Sequence, residues 1–182
     1  MSEAAQFARM IDVSALPAGG VERRIEASAE ERTALAEEFG LLGVDSLAAD
    51  LAVTPWQSDG FAITGRIIAA IRQSCVVSLV PVDQAIDEQF EVHFIPAGSR
   101  LAAVEGKPGR DVVVQVSDEE PPEVFSGHAI DVGPIVKEHF ALAIDPYPRA
   151  PGAELPLDWE AGGPERSESP FAVLAKLKKQ GG

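Results

Sequence analysis

Apolar and polar positions follow two periods along this chain, the two-residue alternation of strands and the longer repeat of amphipathic helices. "FARMIDVSAL" (7–16) alternates, "PAGG" breaks the pattern and "VERRIEA" (21–27) resumes it, which predicts a strand pair at the N-terminus. Ser28 stands three residues before Glu31, the spacing of a capping box, so a helix is expected over 29–39 with Gly40 as its stop. From Ala48 onward strand signals dominate: "LAADLAVTPW", a turn at "QSDG", then "FAITGRIIAAIRQ", "CVVSLVPV" and "IDEQFEVHFIP". In the last of these, Phe90, Val92 and Phe94 alternate with Glu91 and His93, as in a half-buried strand. From Pro96 to Val124 the chain is rich in Gly, Pro and acids, with "DVVVQV" (111–116) as one further strand and "SDEEPPE" as a solvated loop.

A second helical pattern follows. Asp131 is placed to cap it, and Val132, Ile135, Val136, Phe140, Ala143 and Ile144 share one arc with Lys137 and Glu138 outside, which predicts a helix over 132–145. Pro146 and Pro148 forbid its continuation and send "PYPRAP" out as a stiff extended segment displaying Tyr147 and Arg149. The linker "LPLDWEAGGPERSES" leads to Ser169-Pro170, a cap and first-turn pair, and to "FAVLAKLKKQ" with Phe171, Leu174 and Leu177 spaced three apart. The expected architecture is therefore an α+β domain over 1–155. It has a mainly antiparallel sheet, open or curled toward a barrel, and two principal helices. A flexible tail over 156–182 ends in a short amphipathic helix.

Composition narrows the function. Nearly half of the 182 residues are apolar, enough for one real core, and no window approaches the apolar length of a membrane span. The N-terminus "MSEAAQFARM" lacks the order of an export signal, and one cysteine, Cys75, forms no internal disulfide; the cytoplasm is the expected compartment. A net charge of −14 repels phosphate backbones and attracts cationic partners. His93, His128 and His139 show no metal-ligand spacing, and no phosphate loop, nucleophile elbow or paired-carboxylate signature occurs, so neither metal, cofactor nor enzymatic activity is expected. His139, near the centre of its helix arc, reads as a packed side chain, and Cys75 as a small apolar group within a strand.

Binding has more material. Arg23, Arg24, Arg149 and the cluster Lys176, Lys178 and Lys179 are basic islands on an acidic whole. Tyr147 beside Arg149 suits stacking and pairing with RNA, while the alternative is a clamp that closes the core; the lysines equally suit a solubilising helix end.

Three segments together, "QSCVVSLVPVDQAIDEQFEVHFIP", "HAIDVGPIVKEHFALAIDPYPRAPGA" and "SPFAVLAKLK", resemble the YceD family of bacterial proteins, the large ribosomal RNA subunit accumulation proteins. The resemblance implies a role in synthesis, processing or stability of large-subunit (23S) ribosomal RNA, with ribosomal RNA or a large-subunit precursor as partner and no catalytic residues to carry over. Many members pair a Cys-x-x-Cys at the position of Cys75 with a second cysteine pair after the long helix, resembling a zinc site. Here Ser78 stands at the second thiol position and "YPRAPGAEL" contains no cysteine, so zinc is not carried over and the prolines are expected to hold the helix exit instead. A second functional class stays open: an acidic chaperone or adaptor for a basic ribosomal protein.

Overall fold

The structure is a computed structural model, and it describes residues 7–99 and 121–154. In chain order the elements are β1 (Met10–Asp12), β2 (Val21–Glu26), α1 (Ala29–Phe39), β3 (Gly43–Trp56), β4 (Gly60–Ser74), β5 (Pro81–Pro96), β6 (Glu123–Phe125), β7 (Ala129–Asp131) and α2 (Val132–Leu142). The three long strands form an antiparallel meander with β2 on one edge and the short β6 on the other, in the order β2-β3-β4-β5-β6. β1 and β7 make a separate two-stranded sheet. The α+β class with a mainly antiparallel sheet is as expected. The described strands form open sheets and no closed barrel.

Register explains which face is buried. Leu51 stands opposite Gly65, which stands opposite Phe90, and Leu47 opposite Ala69, which stands opposite Ile86, so strand alternation gathers these side chains on one face. A β-bulge between Val44 and Ser46 lets Val44 and Leu47, three residues apart, both face inward. Over this face lie Leu35 of α1 and Val132, Val136 and Phe140 of α2, joined into a single core, with Phe39 meeting Phe140 edge-on at 5.8 Å between ring centroids. Fully burying such a side chain contributes about 1.5–3 kcal/mol. The opposite face carries Arg24, Asp50, Thr64, Arg66, Asp87 and Glu91, all exposed.

The helix signals in the sequence act as expected at three of four ends. Ser28 and Glu31 form a complete capping box, and Gly40 closes α1 in the left-handed conformation at φ 65°. Asp131 caps α2 by accepting the Gly133 N–H at 3.0 Å. α2, however, stops at Leu142 rather than 145: the Ala143 N–H is shared between the His139 and Phe140 carbonyls, and Ile144 donates only to Ala141, an i→i−3 bond, ahead of Pro146.

Three expectations need correction. The N-terminal strands do not pair with each other; β1 pairs with β7 and β2 with β3, because Leu51 and Ala49 offer β2 a longer partner than the three residues of β1. "CVVSLV" is not a strand but the turn between β4 and β5, and β5 then runs unbroken for 16 residues. The stretch read as loop through Val124 contains the start of β6, which pairs in parallel with Phe94–Pro96 and sets Phe125 against Phe61 at 4.9 Å. "DVVVQV", the segment after Pro156 and the short C-terminal helix lie outside the described residues.

The N-terminal segment is tied to both helix starts. The Arg9 guanidinium grips Glu31 through both carboxylate oxygens at 2.8 and 2.9 Å, its backbone N–H donates to Asp131, and its carbonyl accepts the Val132 N–H at 2.9 Å. Gly133 sits so close to the Phe7 carbonyl that a Cβ there would collide with backbone. Replacing Gly133 with alanine is therefore expected to cost about 1–3 kcal/mol in chemical denaturation. Hydrogen bonding from Arg9 holds the Glu31 carboxyl below its ordinary range. A depressed folded pKa contributes stability above the unfolded value and loses it as pH falls through the folded one, so Glu31→Gln should flatten the acid limb of the unfolding midpoint against pH.

Candidate functional site

The turn from Cys75 to Val80 folds back on itself. The Cys75 N–H donates to the Val80 carbonyl at 2.8 Å and the Leu79 N–H to the Cys75 carbonyl at 3.0 Å, with Leu79 itself at φ 61°. Its thiol is fully buried, and three backbone N–H groups converge on Sγ: Val77 and Ser78 at 3.4 Å and Ala150 at 3.3 Å. The Ala150 N–H above all, then the Ser78 hydroxyl, and with them the Ser78 and Val77 N–H groups, favour the thiolate and lower the Cys75 pKa to about 6. Reading Cys75 as an inert apolar group thus missed its surroundings: burial alone would raise the pKa, and the converging N–H donors and the Ser78 hydroxyl outweigh it.

The chain leaving α2 docks on this turn. Pro148 is buried and its carbonyl accepts the Val76 N–H at 2.9 Å, next to the Ala150 bond to Sγ. Gln73 and Gln84 reach over from β4 and β5: Gln73 Nε2 donates to the Asp145 carbonyl and Gln84 Nε2 to the Ala143 carbonyl, both at 2.9 Å, while the Asp145 N–H donates to Gln84 Oε1. Asp145 in turn accepts the Tyr147 N–H at 2.9 Å. Sequence reasoning missed the two glutamines. Their signal was polarity at inward strand positions, where an alternating pattern calls for apolar residues.

Tyr147 is 72% exposed, so it is not a clamp on the core; the buried Pro148 fills that position. Arg149, also exposed, forms no ion pair among the described residues. Arg23 and Arg24 lie elsewhere, along an open groove of about 900 Å³ that crosses β2 to β5 past Asp50, Arg66 and Glu91. Arg66 in this groove is separated from Ser74 at the turn by roughly 26 Å of strand. Arg24 is committed to Glu26 at 3.0 Å and Asp50 at 2.9 Å, whereas Arg23 forms no ion pair among the described residues. Lys176, Lys178 and Lys179 lie outside the described residues. The candidate basic residues are thus not brought together in the described part of the chain.

His139 stacks on Phe90 at 4.2 Å with an interplanar angle of 10°, and His93 lies 4.4 Å from Trp56 and 3.1 Å from Glu91. Among the described residues no group of three or more His, Cys, Asp or Glu side chains is placed to hold a metal ion. The junction offers one thiolate, its sulfur already engaged by three N–H donors, and a serine where a second thiolate would stand. That donor set does not fit a zinc site.

Two measurements check this junction. Replacing Pro146 and Pro148 together with alanine frees the unfolded chain and loosens the docked turn, so the thermal midpoint should fall by about 2–4 °C for each kcal/mol lost. The ultraviolet absorbance of the Cys75 thiolate should titrate near pH 6 in the folded protein and near the ordinary thiol value once unfolded. Stability from the thiolate is complete above the unfolded pKa and vanishes below the folded one, so the midpoint difference between the native chain and Cys75→Ala should grow as pH rises from about 6 to about 9.

A family model described as large ribosomal RNA subunit accumulation protein YceD matches residues 63–178. No curated protein and no solved structure matches the chain. The matched span takes in most of β4, all of β5, the turn around Cys75, α2 and its docked exit, which is more than half of the sequence. The chain belongs to the YceD family.

Proposed function

We propose that this protein is a cytoplasmic, non-enzymatic factor in large-subunit ribosome biogenesis that contacts ribosomal RNA or a precursor particle. Membership of a family named for large-subunit ribosomal RNA accumulation supports the biological setting. One structural observation supports direct contact: within the matched span, Tyr147 and Arg149 project from a turn fixed by hydrogen bonds to β4, β5 and the Cys75 turn, exposed and with Arg149 free of described carboxylate partners. An aromatic ring and a guanidinium held side by side on rigid backbone suit base stacking and phosphate pairing, since little ordering entropy remains to be lost on binding. Arg23 and the lysines 176, 178 and 179 are further candidate contacts.

The absence of an assignable nucleophile–base pair in the sequence favours a binding role over catalysis. A second reading is supported by the fate of the other cations. Arg9, Arg24, Arg66, Arg72 and Lys137 are each paired with carboxylates, while Glu22, Glu30, Glu37, Glu88, Glu123 and Glu138 are exposed without an ion pair among the described residues. Such a field steers a basic ribosomal protein inward more readily than a phosphate backbone. Binding to isolated large-subunit RNA separates the two readings. Under the first, affinity falls linearly on a log–log plot against salt, with about 0.7–0.9 of slope per phosphate neutralised, and Arg149→Ala lowers that slope by about one contact. Co-purification with a ribosomal protein after complete RNA removal, together with no measurable RNA affinity, would establish the second reading instead.

A further inference from the structure

Large apolar side chains stand uncovered on the Cys75 turn and at the end of α2, whose exit docks on that turn. Val76, Leu79 and Val80 are 47%, 76% and 46% exposed, and Leu142 at the adjoining end of α2 is 75% exposed. None of these is a loose loop residue. The turn is closed by its own hydrogen bonds and by the Val76 bond to Pro148, while Gln84 ties the end of α2 to β5. A rigid, apolar, solvent-facing turn on a strongly charged protein is a favourable place for a partner to dock, because exposed apolar surface gains from being covered. The elements that carry these residues also carry exposed carboxylates: Asp45 and Asp83 at the strand ends that meet at Arg72, which they share, and Glu138 and Asp145 on α2 and its exit.

Three candidate occupants differ in charge. A second copy meeting this face symmetrically would set these carboxylates against themselves, which is unfavourable. Nucleic acid fits neither the apolar side chains nor the carboxylates. The third candidate is the chain's own C-terminus. The described chain ends at Glu154, four residues beyond the Ala150 N–H that bonds Cys75 Sγ. Residues 155–169 then separate that exit from Pro170, a span whose root-mean-square reach as a flexible chain is roughly 20 Å. A tether of that length would present Phe171, Leu174 and Leu177 to the turn at an effective concentration on the order of millimolar, so a contact with a dissociation constant below about that value would be mostly formed. Lys176, Lys178 and Lys179 complement Asp45, Asp83, Glu138 and Asp145 in sign. The family match continues to residue 178, so it spans the turn and this segment alike.

We propose that Pro170–Lys179 docks on this turn and the end of α2, with Phe171, Leu174 and Leu177 covering Val76, Leu79, Val80 and Leu142 and with the lysines facing these carboxylates. Docking also carries three cations to the neighbourhood of Arg149 and offsets the local anionic field there. It is independent of whether RNA is the partner, and its test contains no RNA.

The test uses the full chain, isotopically labelled, with amide resonances followed by NMR. Leu174→Asp should shift the amide signals of Val76, Leu79, Val80 and Leu142 while leaving those of the groove strands in place. Leu79→Asp, at a position exposed enough to tolerate it, should reciprocally shift the signals of residues 171–177. A synthetic peptide of residues 168–182 added to the Leu174→Asp chain should return the turn and Leu142 signals toward their native positions. Turn and Leu142 signals unmoved by Leu174→Asp overturn the proposal. So do signals there that move on dilution and not with Leu174→Asp, an outcome that assigns the face to a second copy.

Discussion

The grip of Arg9 on Glu31, with Asp131 beside it, is the constraint on which the rest of this fold depends. The meander of β3, β4 and β5 supplies one apolar face and nothing of its own to cover it. Cover comes from two helices far apart in sequence, and both are positioned at their N-termini by the same short segment around Arg9. Glu31 serves twice, closing the capping box of α1 and receiving the guanidinium, while Asp131 both caps α2 and accepts the Arg9 N–H. Because the Glu31 side chain is only 10% exposed, this pair is screened less than the open ion pairs on the outer face and contributes more to holding the layers together.

Local signals were the legible part of this sequence. The Ser28–Glu31 box, the Gly40 stop and the Asp131 cap each depend on residues within four positions of one another, and each appears in the structure as read. So does the α2 arc as far as Phe140, with Val132, Val136 and Phe140 fully buried, whereas Ala143 and Ile144 fall beyond the helix. What local pattern could not supply was pairing. "FARMIDVSAL" and "VERRIEA" look like neighbours because they are adjacent in sequence, yet the partner of β1 lies about 120 residues downstream. "CVVSLV" carries the composition of a strand, yet its own closing hydrogen bonds and its tertiary bonds to Pro148 and Ala150 make it a turn.

The candidate site was legible in kind and not in arrangement. Tyr147 and Arg149 were singled out by the prolines that flank and display them, and their exposure follows from Pro148 turning inward. Arg24 looked like a free basic group in one dimension; across the sheet it faces Asp50 and is neutralised. The same holds for Arg66 and Asp87. Charges that stand apart along the chain become cross-strand neighbours at a single register, and no count of lysines and arginines anticipates which remain available.

The joining of β1 to β7 fixes an order of assembly. The hairpins of β3, β4 and β5 involve neighbours in sequence and can close as soon as each strand exists, whereas Met10 must wait for Asp131 to be made before the N-terminal segment finds its seat. Until then the part of the meander's apolar face that α2 covers stands open on a nascent chain still attached to the machine that builds it. The long-range contacts that seal the interior, those of β7 and α2, thus all wait for the C-terminal half of the chain.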